Sequence, residues 1–323
     1  MEFITYIITI FSGFVLVLLW LRRRFSYWER RGVATISSSL LFRNMKEAIL
    51  QKNSSSERVL YNYRKFKSLG CKHCGIYFLW KPIYIAMDTE VVKSIMQTDF
   101  QYFMSRGIYY DEKNDPLSAH LFSLAGNKWK LLRNKLSPFF TTGQMKMMFE
   151  TMMISANALK EVLNKQIGNA VDIEDVLGRF ATDIIGSCAF DLDCESLENP
   201  QSEYRIKSKR FFHRTFFENI KLLSSIVAPQ ILKTFKMKLT PDEVSEFFMR
   251  IVEDHVAYRE KNNIFRKDLM QLLIQLKNNG KLVDDEKLPL ENITEQENEL
   301  TLKEIAAQFL SSLELDSKRR RQL

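Results

Sequence analysis

Residues 127–148 read NKWKLLRNKLSPFFTTGQMKMM, two helical stretches parted by a break. Residues four apart share one face of a helix, so Trp129 and Arg133 present an indole N–H and a guanidinium side by side. Pro138 ends the first helix, because a proline inside would remove a hydrogen bond and clash with the preceding turn. Thr141 and Gln144 have the spacing of a capping box for the second. Met145, Met148, Phe149 and Met152 then recur at helical period as a predicted inner stripe. The methionine run from Met145 to Met153 suits either core filling or a pliable binding surface.

With 323 residues, 46% of them hydrophobic, and 24 Phe, the chain can bury one large or two ordinary cores, which excludes a disordered protein. Its 47 basic and 39 acidic side chains leave a net charge of +8, compatible with nucleic acid, an anionic membrane or an ordinary solvated surface. The placement of charge separates these. Residues 3–21, FITYIITIFSGFVLVLLWL, hold no charged side chain, and as a helix they would rise about 28 Å, near the hydrocarbon thickness of a bilayer. Arg22, Arg23, Arg24, Arg30 and Arg31 follow, with Glu2 in front. A cleaved leader would carry its positive charge ahead of the apolar run. Residues 1–24 therefore read as an uncleaved signal anchor with its basic stop, the rest of the chain being cytosolic. On that topology Cys71, Cys74, Cys188 and Cys194 are reduced thiols, and the sequons at Asn53 and Asn292 carry no sugar. The basic end, Lys318 to Arg321, holds four charges and does not by itself indicate a nucleic-acid partner. None is expected.

Residues 25–56 form a linker. A helix over residues 58–68 stops at Gly70, and the β-prone runs IYFLW and IYIAM form a hairpin turning at Lys81-Pro82. Asp88 is the predicted cap of a helix with Val91, Val92, Ile95 and Met96 inward. Residues 100–122 have no steady period and contain Pro116, as in a long structured loop that carries function. Val176, Leu177, Phe180, Ala181, Ile184, Ile185 and Cys188 make one broad apolar helix face that core packing explains. Residues 205–214 hold five basic side chains and no acid, and 222–232 no charge at all. This suits either a solvated basic helix followed by buried chain, or an apolar loop touching an anionic membrane. Thr240, Pro241 and Glu243 mark a helix start, with Val244, Phe247, Phe248, Ile251, Val252 and Val256 inside. A helix through Leu269, Leu272, Leu273 and Leu276 stops at Gly280. Residues 281–300 are a loop, and Thr301 with Glu304 boxes a last helix with Ile305, Ala306, Phe309 and Leu313 inside. Cys71-Lys72-His73-Cys74 has metal-like spacing but no second ligand pair at a suitable separation, so no metal is expected.

The W-x-x-x-R pair, the long loop before it and ELTLKEIAAQ at 299–308 resemble the microsomal cytochromes P-450, the haem-thiolate monooxygenases, and in particular the insect family-six branch. The resemblance covers residues 1–308. It implies a mainly α fold with a small β-hairpin or sheet, the N-terminal part of the cytochrome P-450 fold, behind a single transmembrane anchor, with the incomplete domain over 57–308 and a divergent basic tail over 309–323. It implies haem as cofactor, with Trp129 and Arg133 on a propionate and Arg106 beside them. His120 and Phe122 would contact substrate, His120 being alternatively a hydrogen-bonded, semi-buried histidine. It also implies an endoplasmic-reticulum membrane location, NADPH-cytochrome reductase as partner and hydrophobic small molecules, xenobiotics, as substrates. The family's oxygen-handling A/G-G-x-D/E-T turn, E-x-x-R helix and F-x-x-G-x-x-x-C-x-G ligand loop have no counterpart in these residues. The chain alone is therefore expected to be inactive, lacking the axial cysteine. The alternatives are a non-catalytic membrane-anchored interaction protein and an unstable truncated product.

Overall fold

The computed structural model describes residues 2–35, 55–190, 192–266, 268–279 and 300–320. Asn53, Asn292, most of the linker, Gly280 and the loop up to 299 lie outside the described residues. The fold is mainly helical with one two-stranded antiparallel sheet, and it divides into two compact units, Met1–Phe103 and Met104–Leu323.

In the first unit, α1 (Glu2–Phe25) is the single helix among the described residues that is long and apolar enough to cross a membrane. α2 (Ser55–Ser68) packs Phe66 on a hairpin of β1 (His73–Phe78) and β2 (Lys81–Ala86). Cys74 pairs with Ile85 and Ile76 with Ile83, which sets these residues on one face against Phe66 and Met87. That face fixes the register, since a slip by one residue would turn it to solvent. It also moves the turn from its predicted place. Phe78 pairs with Lys81, so Leu79-Trp80 is the loop and Lys81-Pro82 belongs to β2. Asp88 caps α3 (Thr89–Lys93) by accepting from Glu90 N–H at 2.9 Å. A wider turn over Ser94–Thr98 changes the period, leaving Val92 and Met96 exposed instead of inward.

The second unit begins with loop 104–125 and α4 (Gly126–Leu136), which gives way to a tight turn at Ser137–Phe140 containing Pro138. α5 (Thr142–Asn164) starts after Thr141, whose side chain makes no capping bond. Met145 and Phe149 of the predicted inner stripe are exposed, and only Met148 and Met152 are partly covered. α6 (Ile173–Phe190) buries Val176 and Cys188 but leaves Leu177 exposed. α7 (Glu203–Phe212), α8 (Phe216–Val227) and α9 (Pro229–Thr234) follow, so 222–232 is helical and not a loop. α10 (Asp242–Asn262) and α11 (Leu269–Asn279) close on α12 (Leu302–Arg320). α10 starts after Pro241, one residue later than predicted, because the Leu239 and Thr240 N–H groups are drawn to Asp115 Oδ2 at 2.8 and 3.0 Å.

α12 is the hub. Its T-x-x-E box forms, with Thr301 N–H donating to Glu304 Oε2 at 2.8 Å and Glu304 N–H to Thr301 Oγ1 at 3.2 Å. Ile305, Ala306, Phe309 and Leu310 are buried, and Phe309 meets Phe190 edge-on at 4.0 Å and Phe248 at 5.4 Å. Aromatic pairs of this kind add to the burial of apolar area that holds the unit together.

The basic run on α7 is largely neutralised within the fold. Arg205 meets Asp175 at 3.0 Å, Lys207 meets Glu243 at 3.1 Å, and Arg210 meets Glu218 at 2.6 Å. The Arg210 guanidinium holds Glu218 down from its usual 4.5 to about 2. A carboxylate depressed in the folded state contributes stability above its unfolded value, and that contribution is lost as pH falls toward the folded one. Acid unfolding of the full chain in detergent should therefore draw on this pair between pH 4.5 and about 2. Glu218→Gln should flatten that part of a stability–pH curve, and an unchanged curve would show that the pair is solvent-screened.

Candidate functional site

Loop 104–125 is tied at several points. Asp111 accepts from the Lys113 and Asn114 N–H groups at 3.0 Å each. The loop's buried anchor is Asp115, 2% exposed, which burial pushes above the ordinary carboxylate value against the opposing effect of the Thr240 and Leu239 N–H groups. The same carboxylate thus starts α10 and fixes the loop. Gly126 N–H donates to Met104 O at 3.1 Å, closing the loop at the start of α4.

On this frame the predicted residues come together unequally. Arg106 Nη1 donates to Leu121 O at 3.4 Å and Phe122 O at 3.2 Å. Its guanidinium lies 4.9 Å from the Phe122 ring centroid and 6.0 Å from that of Trp129. His120 Nδ1 accepts from Phe122 N–H at 3.3 Å, and its ring stacks on Phe122 at 6.5 Å. Arg106, His120, Phe122 and Trp129 thus form one cluster, in which Trp129 is half-buried with its Nε1 atom inside. Arg133 lies one turn further along α4, exposed, with Nη1 donating to Ser137 Oγ at 3.0 Å.

Two residues here carry no signal in the sequence. Gln308 of α12, 2% exposed, accepts from Leu121 N–H at 3.0 Å through Oε1 and so holds the cluster's loop to the hub. Lys135 is 8% exposed, and burial lowers its ammonium below the ordinary value with Glu304 opposing. Local spacing could not show either, since their partners are far away in sequence.

The donor set of two guanidiniums and an indole N–H, on one loop and one helix, matches carboxylates, which take charge-assisted bonds from such groups. The cysteines show a different chemistry. All four are free thiols. Burial raises Cys74 to about 11 and pushes Cys188 and Cys194 up as well, so these three are held protonated. Among the described residues no three His, Cys, Asp or Glu side chains are grouped as a metal site.

The family model for cytochrome P450 matches residues 45–303. Cytochrome P450 6a2 of Drosophila melanogaster is 38% identical over 271 residues, 81% of this chain and 53% of that protein. Cytochrome P450 6d3 of Musca domestica is 38% identical over 287 residues, 86% of this chain and 54% of that protein. Cytochrome P450 6A1 of Musca domestica is 36% identical over 308 residues, 94% and 58% of the two chains. The chain spans about half the length of the curated relatives it matches. With a family match over most of its length and relatives of this identity, the chain belongs to the cytochrome P450 family.

Proposed function

We propose that residues 57–308 supply the propionate side of a haem pocket in a microsomal monooxygenase that oxidises hydrophobic small molecules. One observation carries this reading: Arg106 and Phe122 of loop 104–125 converge with Trp129 of α4, and Gln308 ties that loop to the hub. In it, Trp129 and Arg133 bind one propionate, Arg106 screens its charge, and Phe122 with His120 forms an aromatic wall toward substrate. Bound haem would supply oxygen activation, which in this family draws on an axial thiolate. α1 anchors the chain in the endoplasmic-reticulum membrane, and a reductase delivers electrons from NADPH.

Haem titration of the full chain in detergent, followed in the Soret region, tests the cradle. Trp129→Phe and Arg133→Ala should each weaken uptake roughly tenfold, the worth of one charge-assisted hydrogen bond. Uptake equal to that of the parent in both variants, or no saturable uptake by the parent, would reject it.

A second reading, a non-catalytic membrane-anchored interaction protein, is favoured by the burial of three of the four thiols, Cys74, Cys188 and Cys194, inside the protein at 0, 8 and 6% exposure. It predicts that the reduced, CO-bound difference spectrum of the haem-supplied chain lacks a thiolate-type band. Such a band would make one of the four cysteines an axial ligand and return the chain to catalysis.

A further inference from the structure

We propose that Cys71 and Cys74 form a redox-active dithiol, a modification site at which glutathione disulfide closes a reversible Cys71–Cys74 bond. The two residues meet because separate pieces of backbone bring them to one side chain, Phe66. α2 ends at Gly70, which holds φ +73, and the Gly70 and Cys71 N–H groups fold back on Lys67 O at 3.0 Å and Phe66 O at 3.1 Å. This is the Schellman helix end, in which the residue after the glycine packs on the one whose carbonyl it caps. Cys71 accordingly lies against the buried cluster of Phe66, Cys74, Ile76 and Met87.

Cys74 reaches the same cluster from the sheet. Met87 and Asp88 N–H both donate to Lys72 O at 3.0 Å, His73 pairs with Ala86, and Cys74 pairs with Ile85. Strand alternation puts Cys74 and Ile76 on the face of the cluster and His73 on the other, where its ring stacks on Tyr84 at 5.3 Å. The chain bends at Lys72, so Cys71 faces the cluster although it lies outside the strand. His73 is thereby turned away from both thiols, which leaves a pair suited to a disulfide and not a three-ligand metal site.

Exposure sets the order of events. Cys71 is partly exposed, whereas Cys74 is 0% exposed and Cys188 and Cys194 are buried as well. Thiol exchange begins at the accessible sulfur. Cys71, as thiolate, attacks one sulfur of glutathione disulfide, whose S–S bond breaks. One glutathione leaves and takes up a proton, and Cys71 holds the other in a mixed disulfide. Cys74 then attacks Cys71 Sγ, its proton passes to the second departing glutathione, and the Cys71–Cys74 bond forms. The two cysteines together give up two electrons and two protons, and one glutathione disulfide becomes two glutathiones. Burial, which raises the Cys74 thiol to about 11, keeps that residue inert until Cys71 carries a leaving group. Once closed, the bond ties the end of α2 to the first strand across the bend at Lys72.

The test treats the full chain in detergent with glutathione disulfide, quenches in acid, alkylates under denaturing conditions, and reads intact mass and peptides. The parent should lose two of its four free thiols, Cys71 and Cys74 in one disulfide with no glutathione retained, and dithiothreitol should restore both. Cys74→Ala should stop with one glutathione on Cys71, and Cys71→Ala should keep Cys74 reduced. At a fixed ratio of glutathione disulfide to glutathione, the chain unfolded in urea should hold a smaller oxidised fraction than the folded chain. Glutathione that stays on Cys71 of the parent, four thiols left intact, or an equal oxidised fraction in urea overturns the site. Glutathione on Cys74 of the Cys71→Ala variant overturns the order of attack. The readings on the parent decide the site even where a variant does not fold.

Discussion

Arg259→Ala should cost about 3–5 kcal/mol of folding stability, because it strands a buried charge. Arg259 is 2% exposed in the last turn of α10. Its Nη2 meets Asp268 Oδ2 at 2.5 Å, Nη1 donates to Asp268 Oδ1 at 2.9 Å, and Nε donates to His255 Nε2 at 3.2 Å. The Asp268 side chain is 9% exposed, and its Oδ1 also accepts from Gln271 N–H at 2.8 Å in the first turn of α11. Removing the guanidinium leaves a carboxylate with little water to replace it, at the point where α10 hands over to α11.

Two controls separate pair loss from a general insult. Arg250 meets Glu203 at 3.3 Å with both side chains about 60% exposed, so Arg250→Ala should cost under about 1 kcal/mol. The double variant Arg259→Met, Asp268→Leu removes both charges and should recover most of the loss. Urea denaturation of the full chain in detergent, followed by circular dichroism, reads all three. Equal midpoints for Arg259→Ala and Arg250→Ala would show that water reaches the Arg259 pair.

What could be read from the sequence was mostly local. Helical period found α10 and its stripe of Val244, Phe247, Phe248, Val252 and Val256, all buried, since one face is enough to reveal a helix. The Thr301–Glu304 box formed because both partners lie within one turn. The predicted starts at Thr141 and Thr240 show the limit. Thr141 precedes α5 without a side-chain cap, and Thr240 is taken by Asp115, 125 residues away. The basic run of α7 looked like free charge because its acids, Asp175, Glu218 and Glu243, lie outside it. At the candidate site, i to i+4 spacing paired Trp129 with Arg133, yet the structure sends the Arg133 guanidinium to Ser137 and brings Arg106 to Trp129 instead. The bond from Leu121 to Gln308 spans 187 residues, a separation at which no periodicity carries information.

Gly186→Ala should destabilise the chain by about 1–3 kcal/mol, against the direction that helix propensity gives. Gly186 lies inside α6, where Ala is normally favoured by about 1 kcal/mol. A Cβ there would stand 2.2 Å from Cys194 Sγ and 3.2 Å from Leu192 O. The neighbouring chain cannot easily yield. Leu192 N–H donates to Gly186 O at 2.9 Å, and Ser196 and Leu197 N–H each donate to Asp183 at 2.8 Å. Arg179 Nη1 adds a bond to Leu197 O at 3.2 Å. The segment is therefore pinned onto α6 on both sides of Cys194, which is 6% exposed. The new methyl must displace the thiol or bend the helix. Adding Cys194→Ala makes room, so the double variant should be more stable than the two single effects sum to, by about 1–3 kcal/mol of coupling. If Gly186→Ala alone raises the urea midpoint, the close approach of the thiol does not exist in solution, and ordinary helix propensity decides the site.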